Sequence, residues 1–220
     1  MKTETGAAPR VAQTWERQSW LGAATLASLE EVNEQVLALL RAQCMAEVPQ
    51  AALTRDVSSL LLNLDAASMR RAAASAVLLV DAGFADGQRW SDAIVGAVND
   101  GQPIGPAPFF TVDGAVAVMR LVMSHAWHLA RSEPAAARLL LGMSVTNGAL
   151  IGGCTLTRLL RLAEARTQWL RPRWENRTRI WCDLLRAAAA ADSGAAERMR
   201  VRALQLLAAD ARQMPRSLSS

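Results

Sequence analysis

The sequence has no tyrosine, three phenylalanines, one lysine, two histidines and three cysteines. So few aromatics, with no runs alternating every second residue, exclude a sheet-rich fold. Cys44, Cys154 and Cys182 are isolated, odd in number and lack metal-ligand spacing, so neither a disulfide framework nor a zinc site is expected. No run reaches the roughly 18 to 20 apolar residues a membrane span needs. The first twenty residues are polar and carry Glu4 and Glu16, without the apolar stretch of a signal peptide. The expected localisation is cytoplasmic.

What the chain has instead is Ala, Leu, Arg and Met, all strong helix formers. The expectation is an all-α fold of two similar small helical units in tandem, joined by a Pro/Gly-rich linker. Residues 98–114, VNDGQPIGPAPFFTVDG, interrupt every helical pattern around them. The implied divisions are an N-terminal arm (1–25), an acidic unit (26–98), the linker (99–114) and a basic unit with a closing helix (115–214). Helices are expected near 27–46, 50–63, 66–80, 88–98, 115–131, 134–143, 145–152, 155–170, 177–191 and 195–212. Thr155 is a candidate N-cap, Pro134 a candidate first helical residue, and Pro172 a stop signal.

The case for two units is internal similarity. At an offset of 90 residues Leu39 falls on Leu129, Arg41 on Arg131, Arg71 on Arg161, Met69 on Leu159 and Phe84 on Trp174. After one inserted residue, Trp90 falls on Trp181 and Asp92 on Asp183. Charge divides along the same line. Residues 1–114 hold 8 Lys/Arg against 13 Asp/Glu, and residues 115–220 hold 16 Arg against 7 Asp/Glu. The split suggests divided labour or complementary packing of one half on the other.

Catalytic chemistry finds little support. His125 and His128 share a helix face but lack further ligands, and the expectation is one packed and one solvated ring. Gly152–Gly153 is followed by no Lys-Ser/Thr and follows no strand, so it is not a phosphate loop. No nucleophile–base constellation is evident, and neither an enzyme nor a cofactor is expected. Trp127, Trp169, Trp174 and Trp181 are expected to anchor helices. Trp15 and Trp20 are candidate interface anchors.

The densest basic segment is Arg158, Arg161, Arg166, Arg171, Arg173, Arg177 and Arg179, straddling one helix, a Pro-broken turn and the start of the next. These seven are the candidate DNA-binding residues, because a helix opening with Arg and Asn is well placed for phosphate contacts. A solvated arginine face explains the same segment equally well.

Residues 137–175 resemble the FlhD family of flagellar transcriptional activators. The resemblance rests on Leu141-Gly142, Thr155-Leu156, Leu162-Ala163-Glu164 and Arg173-Trp174-Glu175, where the family has Arg-Phe-Asp. Upstream, His128-Leu129-Ala130-Arg131 and Ala135-Ala136-Ala137 are similar to the family's preceding helix. The resemblance implies an α-helical regulator that dimerises and joins an FlhC-like subunit to bind promoter DNA and recruit RNA polymerase, the partner making much of the DNA contact. Family members are about half this length, so two units in one chain imply an internal pseudo-dimer or, failing that, a homo-oligomer. The partner's cysteine-rich zinc site has no counterpart here. The rival expectation is a helical adaptor, or a secretion or motility accessory protein, that does not touch DNA.

Overall fold

The computed structural model describes residues 22–46, 51–95 and 107–213. Most of the expected arm, with Trp15 and Trp20, and most of the linker lie outside them. The described residues form an all-α fold of ten helices: α1 (Ala23–Met45), α2 (Ala52–Leu62), α3 (Ala66–Ala73), α4 (Gly87–Val95), α5 (Ala115–Ser132), α6 (Pro134–Leu141), α7 (Val145–Gly153), α8 (Leu156–Ala165), α9 (Thr178–Ala189) and α10 (Ser193–Gln213).

Local chemistry sets many of the boundaries. Asp65, Ser144 and Thr155 cap α3, α7 and α8 by accepting the backbone N–H of Ser68, Asn147 and Arg158 at 2.7, 3.1 and 3.3 Å. Pro134 opens α6, and Gly142, left-handed at φ 65°, closes it.

Two expected helices end early. Instead of running to residue 80, α3 stops at Ala73, because the segment after it is held from outside. Asn33, on the buried arc of α1, donates to the carbonyls of Ala73 (3.1 Å) and Val77 (3.0 Å) and accepts the N–H of Leu79 (2.9 Å). Those bonds replace the ones a helix would have made. Likewise α8 stops at Ala165 and is followed by a 3-10 turn, Thr167–Trp169.

Released from helix, Val80–Asp81 (β1) pairs antiparallel with Arg171–Pro172 (β2), Val80 opposite Pro172 and Asp81 opposite Arg171. This short ribbon ties the two halves together. They also share one core, which runs from Leu29, Val36 and Leu40 through Phe84 and Trp90 to Met119, Val122, Leu159, Trp181 and Leu185. The bend between α6 and α7 is 119°, and no single helix among the described residues is long and apolar enough to cross a membrane.

The aromatic equivalence at offset 90 is not matched by environment. Phe84 is fully buried and stacked on Trp90, with ring centroids 6.0 Å apart. Trp174 is half-buried at the core's edge, left-handed at φ 55°, and its indole N–H donates to Asp210 at 2.9 Å. At an offset of 91 Trp174 would instead fall on Gly83, which is left-handed at φ 71°. Complementary packing by charge is also largely missing. Among the described residues only Arg173–Asp81, at 3.9 Å, is an ion pair that crosses between the halves; the basic half pairs mostly with its own carboxylates, as in Arg120–Glu164 and Arg202–Asp183.

Candidate functional site

The seven candidate arginines separate into two groups on different parts of the surface. Arg158 and Arg161 project from the first two turns of α8 into a groove between α8 and α4. Arg158 donates to the carbonyl of Ile94, bridging the groove. Arg161 is exposed and has no partner among the described residues, and Arg166 caps the C-terminal end of α8. The groove has a volume of about 510 Å³, an apolar floor including Ala93, Ile94, Leu159 and Leu162, and no acidic side chain in its lining.

The other four arginines lie around β2 and the start of α9, and most of them serve the fold. Arg171 is bidentate to Glu175, with Nε 2.9 and 3.0 Å from the two carboxylate oxygens, and Nη1 donates to the carbonyl of Ala107 at 3.0 Å. Its guanidinium also lies over Phe109, 5.9 Å from the ring centroid. Arg177 is 3.6 Å from Asp210 and Arg179 4.0 Å from Asp183.

Arg173 corrects the expectation outright, since it is only 8% exposed. Its Nε donates to the carbonyl of Leu78 (2.9 Å), and Nη2 donates to those of Val80 (3.1 Å) and Leu141 (2.9 Å). Burial pushes its pKa down from the ordinary arginine value, and Asp81 and Asp210 push it back up. A guanidinium spent on three backbone carbonyls inside the protein is not offered to a phosphate.

His125 and His128 divide into one packed and one solvated ring, as expected. His125 is buried with Nδ1 3.1 Å from Ser28 Oγ, and His128 is exposed. Desolvation, then the charge of His128, lowers the His125 pKa to about 4. Burial raises Cys44 to about 11 and also raises Cys154. Among the described residues no three His, Cys, Asp or Glu side chains converge as metal ligands.

Sequence reasoning missed the groove because Ala93, Ile94 and Ala165 carry no chemical signal. Asn33 was legible in principle, as a polar residue interrupting the apolar arc formed by Leu29, Val36, Leu37 and Leu40.

Among the described residues, fold and surface together define a helical protein with an open, basic-rimmed groove between α4 and α8 and a second arginine cluster largely tied into its own structure. No family model matches the chain, and neither a curated protein nor a solved structure matches it.

Proposed function

We propose that this chain is a helical assembly protein, an adaptor that works by docking another protein and not by reading DNA directly. The observation that carries the reading is the fate of the arginines: Arg173 is buried on three carbonyls, and Arg171 is locked to Glu175. A phosphate-binding stripe needs its cations solvated and free to exchange partners.

The FlhD-like reading, with an FlhC-like subunit and promoter DNA as partners, remains the second proposal. Arg177 and Arg179 favour it, since both are exposed around the N-terminal end of α9.

DNA binding measured from about 50 to 200 mM salt separates the two readings. If all seven arginines met phosphates, the slope of log K against log salt would approach about −6. The adaptor reading expects no measurable binding, or a slope no steeper than about −2. A slope near −6, or tight binding by the chain alone, would defeat it.

A further inference from the structure

Three separate features of the fold carry the same offset as the sequence similarity. First, α1 and α5 run antiparallel: Thr25 Oγ1 donates to Glu133 (2.6 Å), Ser28 meets His125, and Gln43 Nε2 donates to Thr111 Oγ1 (3.3 Å). Ser28 and Gln43 lie four and eleven residues from Val32, and their partners His125 and Thr111 three and eleven from Val122, which is 90 residues on. Second, the β1–β2 register centres between residues 80 and 81 on one strand and 171 and 172 on the other, 91 apart. Third, the N–H of Asp86 donates to Gly83 O at 2.9 Å and that of Arg177 to Trp174 O at 2.8 Å, again 91 apart. Contacts in which one residue meets the counterpart of its own partner are what a two-fold axis generates. On that axis α1 corresponds to α5, α2 to α7, α3 to α8 and α4 to α9.

Two helices are left over, α6 and α10, and α10 is the one that fills a groove. It seats an apolar stripe, Ala196, Met199 and Ala203, in the groove between α3 and α9, leaving a residual space of only about 30 Å³. Arg71 of α3 bridges this groove to the carbonyl of Ala188 (2.7 Å), and Arg200 of α10 donates to that of Ala74 (2.9 Å). Carried across the axis, the α3/α9 groove falls on α8 and α4, which pack less closely than α3 and α9 do. Arg71 maps onto Arg161, Ser75 onto Ala165 and Leu184 onto Ala93, and all six residues line their respective grooves.

We propose that the α4/α8 groove is a second helix-docking site, the two-fold counterpart of the seat filled by α10, and that it receives an amphipathic helix of a partner protein. The proposal rests on the assembly reading above and names the site at which assembly occurs. The occupant's chemistry follows from the groove. Small lining residues, Ala93 and Ala165, admit a stripe of Ala, Leu or Met like that of α10. The rim carries Arg158 and Arg161 without a carboxylate, so the flanks of the incoming helix are acidic.

The test uses the full chain and a fluorescent peptide of residues 193–213 in which Arg198, Arg200 and Arg202 are each replaced by Glu. Anisotropy should show binding near micromolar, weakened about tenfold or more by Ala165→Trp, which fills the groove, and by Arg161→Glu, which reverses its rim. Both positions are exposed, and unchanged melting curves would show that the variants fold. No binding by the unaltered chain, or equal binding by both variants, overturns the proposal. So does binding that emerges only after deletion of residues 1–21, because the occupant is then the chain's own arm. Peptide binding together with a steep DNA salt slope would sink the adaptor reading and keep the groove. Absence of both would sink the groove and keep the adaptor.

Discussion

Replacing Arg173 with alanine separates a structural guanidinium from a nucleic-acid contact. The substitution strips the donor from three carbonyls, those of Leu78, Val80 and Leu141. Hydrogen bonds to a charged group contribute about 1.5–3 kcal/mol each, which gives a gross term of about 4.5–9 kcal/mol. The burial cost of the cation itself, several kcal/mol, disappears with it and offsets part of that loss. The net destabilisation is about 3–5 kcal/mol, close to that of breaking other buried charged networks. For a chain of this size about 2–4 °C of Tm accompanies each kcal/mol, so the melting temperature should fall by about 6–20 °C. Arg173→Lys keeps the charge but not the planar fork, and should lose about half as much. Exposed Arg161→Ala should change stability by less than about 0.5 kcal/mol. Melting followed by circular dichroism at neutral pH checks all three. A Tm for Arg173→Ala within about 2 °C of the parent would refute the account of a buried, carbonyl-bound arginine.

The remaining predictions read other parts of the same core. His125 has a folded pKa of about 4 against 6.5 unfolded, so its stabilising contribution is present above pH 6.5 and is lost as pH falls toward 4. Stability should drop by about 2 kcal/mol between pH 7.5 and 5 from this group, and a His125→Asn variant whose melts keep that full drop would contradict the assignment. A thiol-reactive disulfide at pH 8 should modify one cysteine of the folded protein quickly, half-buried Cys182, while buried Cys44 and Cys154 react only on unfolding; rapid loss of two or more thiols would count against the burial. At Gly142 a Cβ would stand 2.8 Å from the Leu207 side chain on a left-handed backbone. Gly142→Ala should therefore cost about 1–2 kcal/mol and loosen α10, seen as faster amide exchange along that helix; unchanged exchange would show that α10 does not bear on α6.

Helices were the legible part of the sequence, because their signals are local. Thr155 declares the start of α8 and Pro134 that of α6 through chemistry confined to a single turn. The end of α3 is not local. Its sequence runs Ala-Ala-Ala-Ser-Ala-Val-Leu-Leu without a breaker, and the helix stops because Asn33, forty residues earlier, takes up the carbonyls of Ala73 and Val77. The same holds for the arginines. Between Pro172 and Trp174 nothing distinguishes a solvated Arg173 from a buried one, since the three carbonyls that claim it come from β1, the residues before it and α6. Arg161, in contrast, lies on the polar face of an amphipathic helix, where periodicity alone placed it in solvent.

The β1–β2 ribbon has a consequence for how the protein is made. Asp81 cannot meet Arg171 until some ninety residues more have been synthesised, which at about 5–20 residues per second is roughly 5–20 s. Throughout that interval α1 can pack only on elements of the first half such as α2 and α3, because α5 and the strand that closes the edge of β1 are still being translated or threaded through the ribosome. The nascent first half is thus a natural client for a holding chaperone. A chain cut short before Trp181 loses part of the common core, not one domain of two.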